Sequence, residues 1–293
     1  MNWMKYKWLY FLLSALVLVP GITSLVLFGL SPAIDFTGGS LLELKTEGEL
    51  NPKEVEGVIG EKGFEVLTVQ TSGKNQILIR LQPIEKEQAN EIKSAIQEKF
   101  EQEPEEVRFE TVGPTLGKEL ITKTIWAIVL AAGFILAYVA WRFKDVKFGV
   151  CAILAMFHDT FILLGSFSLL GYFLGVEIDT LFVTAVLTIL SFSVHDTIVV
   201  YDRIRESQKL LPQASFVDLI NKAVTETLSR SVNNSMTIIF MLIALLLLGG
   251  TTIKWFVAAL LIGTISGTYS STFTAAPLLV IWEKIEKRRK RTS

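Results

Sequence analysis

The chain has 293 residues, 51% of them hydrophobic and 19% charged, with a net charge of −1. So apolar a composition excludes an ordinary soluble domain and points to a polytopic membrane protein. The one cysteine, Cys151, excludes an internal disulfide.

Six apolar runs carry the excess, at roughly 9–30, 121–141, 148–172, 178–200, 235–253 and 255–282. Each is near or above the ~20 residues that a helix needs to cross the hydrocarbon of a bilayer. A membrane barrel would show many ~10-residue alternating strands instead, so the spans are expected to be helices. The first run follows Lys5 and Lys7, is longer than a signal-peptide core and lacks a small-residue cleavage site, which reads as an uncleaved anchor. Charge then divides the chain. Residues 33–119 hold 18 acidic and 10 basic side chains, a balance of −8, whereas the remainder is at +7. The basic stretches are the N-terminus, RFKDVK (142–147), the 202–230 connection and the tail EKIEKRRKRTS, while the other short loops carry almost no basic residues. The positive-inside rule therefore places both termini in the cytoplasm and the segment after the first span outside. The expected domains are 1–31 with the first helix, 32–119 external, 120–283 a five-helix bundle, and 284–293 a basic cytoplasmic tail.

In the external segment LLEL reads as a strand, and NPKEVEGVIGEKG as a short helix capped by Asn51 with Pro52 in its first turn. FEVLTVQ and NQILIRLQ flank TSGK as a hairpin. A second helix repeats its apolar residues at Ile84, Ala89, Ile92, Ile96 and Phe100, and EVRFETVG closes as a strand. The order β-α-β-β-α-β is that of a ferredoxin-like domain with two helices on one face of an antiparallel sheet. It contains no metal cluster, nucleophile pairing or phosphate loop, and no cofactor is expected.

Charge inside the spans is the strongest functional signal. Asp196 lies about 17 residues into the fourth span, and a carboxylate there must face the bundle interior and pair, bind an ion or take up a proton. Arg203 falls two turns away, and Arg230, leading into the fifth span, is the candidate partner. The third span carries His158 and Asp159, so HDT occurs at both 158–160 and 195–197. Three readings stand: hydrogen bonding between helices, a metal site of two His and two Asp, or a proton relay. Adjacent side chains diverge by about 100° on a helix, which disfavours the metal. Gly263, Gly267 and Ser270 or Ser271 line one side of the sixth span, as close helix contact requires. Between spans four and five, segment 212–230 repeats Phe216, Leu219, Ile220, Ala223, Val224 and Leu228 at helical spacing. That pattern suits an amphipathic helix on the inner membrane surface, with Asp218–Lys222 and Glu226–Arg230 as i,i+4 pairs.

DFTGGSLLEL (35–44), VGPTLGKEL (112–120), MFHDTFILLG and HDTIVVYDRIRE, in this order, resemble the SecF family, the smaller membrane subunit of the SecD–SecF accessory complex of bacterial protein export. The resemblance covers almost the whole chain and implies the resistance–nodulation–division superfamily. It implies a multi-pass protein of the bacterial inner membrane that pairs with SecD, associates with the SecY channel complex and uses the proton gradient to draw preproteins outward, with no nucleic-acid partner. It places the family's fourth-span aspartate on Asp196, its fifth-span arginine on Arg230, and the cytoplasmic end of the fourth helix on Asp202, Arg203 and Arg205. Two positions depart from the family. His195 stands where the family has Asn before the aspartate, and Asn234 replaces a threonine hydroxyl. The relay set is then Asp196, Arg230, Asp159, His195 and Asn234, with Asp35, Gly38, Gly39, Gly113 and Pro114 flanking the external domain as motif and hinge positions. Two alternatives are a half-transporter of lipids or small molecules and an intramembrane aspartic protease; the latter needs Asp159 and Asp196 to meet.

Overall fold

The computed structural model describes residues 1–71, 75–143 and 145–292. Residues 72–74 of the expected TSGK turn, Lys144 of RFKDVK and Ser293 lie outside the described residues. In chain order the elements are a 3₁₀ turn Trp3–Tyr6, α1 (Lys7–Phe28), α2 (Ile34–Thr37), β1 (Gly39–Lys45), α3 (Pro52–Glu61), β2 (Val66–Thr71), β3 (Gln76–Leu81), α4 (Lys86–Phe100) and β4 (Glu105–Val112). They continue as α5 (Pro114–Arg142), α6 (Val146–Leu174), α7 (Thr180–Leu210), α8 (Phe216–Leu248), α9 (Thr251–Ser270), a π turn Ser271–Ala275 and α10 (Ala276–Thr292). The chain divides into two compact units, Pro32–Trp126 and Met1–Ser31 with Ala127–Ser293.

In the smaller unit the strands form one antiparallel sheet in the order β2-β3-β1-β4. Period-2 alternation puts Leu42 and Leu44 of β1 on the same face as Ile77, Ile79 and Leu81 of β3, in register Leu42↔Ile79 and Leu44↔Ile77. Val55 and Ile59 of α3 and Ala89, Ile92 and Ile96 of α4 complete that core, so both helices cover one face. Local chemistry starts each helix. The Asn51 side chain accepts from Lys53 N ahead of Pro52, and Glu85 with Gln88 forms a capping box. Ile84 therefore precedes α4, yet joins the same core at the position before the cap. The sequence reading lacked one short element, α2, which carries Asp35 in its first turn.

On β4, Glu106 accepts from Lys86 and, at 3.4 Å, from Lys93. The Lys86 hydrogen bond holds the Glu106 carboxyl below the usual carboxylate range, against an opposing effect of burial. A depressed folded value stabilises the fold above the unfolded carboxylate range, and the contribution disappears as pH falls through the folded value. Glu106→Gln is expected to cost under about 1 kcal/mol at neutral pH and to flatten the acid-side loss of hydrogen-exchange protection in β4, once corrected for intrinsic exchange.

The larger unit is helical. Among the described residues six helices are long and apolar enough to cross a membrane: Trp3–Phe28, Pro114–Arg142, Val146–Leu174, Thr180–Leu210, Phe216–Leu248 and Thr252–Lys290. Side-chain caps start three of them: Asp145 on α6, Asp179 on α7 and Ser215 on α8. The apolar stretches of α6, α7 and α9 are largely buried, and those of α1 and α8 largely exposed. Backbones approach closely where side chains are smallest. A Cβ on Gly165 of α6 would lie 2.6 Å from Gly21 Cα of α1, and one on Gly263 of α9 would run into Ile189 of α7.

The segment 212–230 differs from expectation. It forms no separate surface helix, because α8 runs unbroken from Phe216 to Leu248. The apolar stripe is buried by protein: Ile220, Ala223 and Val224 share a core with Val200, Tyr201 and Ile204 of α7. Asn221 accepts from the Met4 backbone, tying the N-terminal turn to the same helix. Nor do the i,i+4 pairs form. Ser215 donates to Asp218, and Glu226 accepts from Arg203 of α7 at 2.6 Å.

Candidate functional site

Two carboxylates lie inside the helical unit, 1% exposed at Asp159 and 7% at Asp196. Asp159 projects from α6 to a place where α7 and α9 converge. Its Oδ2 accepts from Ser193 and Ser270, each at 2.5 Å, and its Oδ1 accepts from Ser266 at 2.6 Å. His158 Nδ1 lies 3.0 Å from the same Oδ1. A proton on Nδ1 would donate to that oxygen, and one on Nε2 would leave Nδ1 to accept. Asp196, one turn after Ser193 on α7, is met by other helices: Ser231 of α8 donates to Oδ1 at 2.7 Å, and Ser271 of the π turn donates to Oδ2 at 2.5 Å.

Among the described residues Arg230 makes no hydrogen bond or ion pair with Asp196, whose partners are Ser231 and Ser271. The Arg230 side chain is exposed and lines a cavity of about 500 Å³ with Asp202, Arg203, Glu206 and Glu226. The next residue, Ser231, is turned about 100° around the helix and points inward in its place. Asp202 pairs with Arg142 of α5 at 2.5 Å and with Arg205 at 3.6 Å, while Arg203 joins Glu206 and Glu226. The DRIRE segment thus ties α5, α7 and α8 together near one end of the bundle. His195 and Asn234 are exposed, on α7 and α8, and neither reaches a buried carboxylate. The two aspartates share no hydrogen bond, so the geometry of a protease dyad is not formed. Among the described residues no group of three or more His, Cys, Asp or Glu side chains is placed to hold a metal.

The other motif residues lie in the smaller unit. Gly39 pairs with Val112, which brings Gly38 beside Pro114 at the mouth of the sheet. Gly38 has φ 74° and ψ 170°, a conformation open almost only to glycine, and a Cβ there would stand 2.9 Å from Pro114 Cα. A Cβ on Gly113 would meet nothing within 4 Å.

Ser193, Ser231 and Ser266 were the site residues that sequence reasoning missed, and Ser270 and Ser271 were read only as packing positions. Hydroxyls at 193, 231, 266, 270 and 271, in or beside the apolar runs 178–200, 235–253 and 255–282, were the available signal. One further hydroxyl acts on the π turn itself: Tyr201, fully buried, donates to Ala275 O at 2.9 Å. Thr197 and Thr272, sequence neighbours of Asp196 and Ser271, have buried hydroxyls with no partner among the described residues.

Intramembrane carboxylates held at helix junctions mark the polytopic membrane proteins that move ions or substrates, and a six-span bundle with a βαββαβ unit after its first span narrows that class. Residues 91–285 match the family described as protein export membrane protein SecD/SecF, C-terminal, and residues 23–49 match the SecD/SecF GG motif, which contains Gly38 and Gly39. The chain is 43% identical to the protein translocase subunit SecF of Thermobaculum terrenum, over 95% of this chain and 93% of that one. It is 37% identical to the protein translocase subunit SecDF of Thermus thermophilus, over 94% of this chain but 38% of the longer relative. The crystal structure of SecDF from that organism, described as a translocon-associated membrane protein, superposes with a TM-score of 0.86 at 34% identity, covering 97% of this chain and 39% of that one. The chain belongs to the SecD/SecF family.

Proposed function

We propose that this chain is an accessory subunit of the Sec protein translocase that works with SecD to couple the proton-motive force to export of preproteins. The observation that carries this reading is Asp196, a carboxylate buried where α7, α8 and the π turn meet, with one hydroxyl on each oxygen. Such a group can alternate between charged and neutral states, and each state changes what the three elements hold in common. The chain lies in the bacterial inner membrane with both termini in the cytoplasm. The βαββαβ unit is an external ferredoxin-like domain, and the SecY channel and the translocating preprotein are the partners on which it acts. Preproteins are moved without covalent chemistry.

A second half-bundle is required by the outer face. Thr184, Thr188, Ser191 and His195 form an exposed polar stripe along α7, and Arg230 and Asn234 are exposed on α8. Polar groups of this kind are costly against lipid and belong against protein or a water-filled path. SecD supplies that neighbour, as the fused SecDF relatives suggest. The half-transporter alternative would need the same second half.

In vesicles holding this chain, SecD and the SecY channel, preprotein translocation is expected to fall when a protonophore collapses the gradient, and only in the part that depends on this chain. Translocation that ignores the gradient whether or not the chain is present would sink the reading.

A further inference from the structure

We propose that the two buried carboxylates have different tasks: Asp159 stays ionised as a positioning residue that clamps α6, α7 and α9, and Asp196 alone takes up and releases the proton. This rests on the proton-coupling reading above and assigns the parts within it.

The difference lies in the acceptor positions. An ionised carboxylate offers about four lone-pair sites on its two oxygens. At Asp159 each oxygen has two contacts, Ser193 and Ser270 on Oδ2 and Ser266 and His158 Nδ1 on Oδ1. Hydrogen bonds to a carboxylate favour its charged form, so a carboxylate met by four contacts is held ionised more firmly than one met by two. Among the described residues Asp196 has one contact on each oxygen, Ser231 on Oδ1 and Ser271 on Oδ2. A proton can be added to a free site without displacing either hydroxyl.

The clamp also sets the geometry of the exchanging group. Asp159 holds Ser193, one turn before Asp196, and Ser270, the residue before Ser271. Consecutive helical side chains diverge by about 100°, which lets Ser270 reach one carboxylate while Ser271 reaches the other. The α9–π junction is therefore fixed by an anion on one side and meets a variable charge on the other. The titratable groups around the pair are His158 on α6, Tyr201 and the outward-facing His195 on α7, Arg230 on α8, Tyr269 on α9 and Tyr10 on α1. Among the described residues only His158 of these contacts either carboxylate, since Tyr201 donates to Ala275 O and Tyr269 to Tyr10 O.

Difference infrared spectroscopy separates the two acids. The full chain, reconstituted with SecD in lipid, is titrated between about pH 5 and 9, where solvated carboxylates stay ionised, and the carbonyl band of buried carboxylic acid is followed. The band is expected to vanish in Asp196→Asn and to persist in Asp159→Asn. Ser266→Ala frees an acceptor site on Asp159, and the band is expected to grow roughly twofold as a second acid becomes able to protonate. A band retained in Asp196→Asn, or lost in Asp159→Asn alone, overturns the division of tasks while leaving proton uptake intact. No band in the wild-type chain overturns proton uptake itself. Should Asp159→Asn fail to accumulate, Asp196→Asn decides alone: complete loss supports the assignment, and a residual band rejects it.

Discussion

Asp196→Asn is expected to reduce preprotein translocation to the level seen with the proton gradient collapsed, while the complex still assembles. The amide matches the carboxylate in shape and can still accept from one serine, whereas the other serine reverses and accepts from the new NH₂ group. Both serines are rotatable donors and acceptors, so the buried bonds survive and the stability change stays within about 1 kcal/mol. What the amide cannot do is ionise. Vesicles carrying the variant, assayed with and without a gradient, therefore isolate coupling from folding. An undiminished gradient response in an assembled complex would reduce Asp196 to a packing residue and move the coupling site to Asp159 or to the other half of the complex.

The second large effect belongs to the paired glycines. Gly38→Ala is expected to destabilise the sheet by about 2–4 kcal/mol, because it adds backbone strain to a Cβ that meets Pro114 Cα. Gly113→Ala is the matched control: with open space around its Cβ and no positive φ, it is expected to change little. Hydrogen exchange across the β1–β4 ladder in the full chain reads both. Equal protection in the two variants would show that the close contact at Gly38 relaxes without cost.

What could be read from the sequence follows the range of the forces involved. The six spans, the Asn51 cap and the β-α-β-β-α-β order depend on composition, period and local bonding, and all were legible. The role of segment 212–230 was not, because an apolar stripe at helical spacing looks the same whether lipid or protein covers it. Only the presence of Val200, Tyr201 and Ile204 opposite settles that question in favour of protein. At the site, charge drew attention to Arg230, and a rotation of one residue gave the contact to Ser231. The serines around Asp159, which is on α6, come from two other helices, α7 and α9, and their convergence is a property of packing that no single stretch encodes. Small residues in a span serve close approach and hydrogen bonding alike, as Gly263, Gly267 and Ser270 do on one side of α9.

The π turn at Ser271–Ala275 has a consequence for how the sixth span tolerates changes in length. A π turn accommodates one residue more than the α-helix it interrupts, so the two halves of this span are out of phase by about 100°. Leu279 and Val280 are buried in the phase that the extra residue sets. Shortening the turn by one residue would restore an unbroken α-helix and swing those side chains out of the core, although every remaining residue would keep its identity. The span is thus a counted length as well as a composition, and its supernumerary residue sits beside the hydroxyl that serves Asp196.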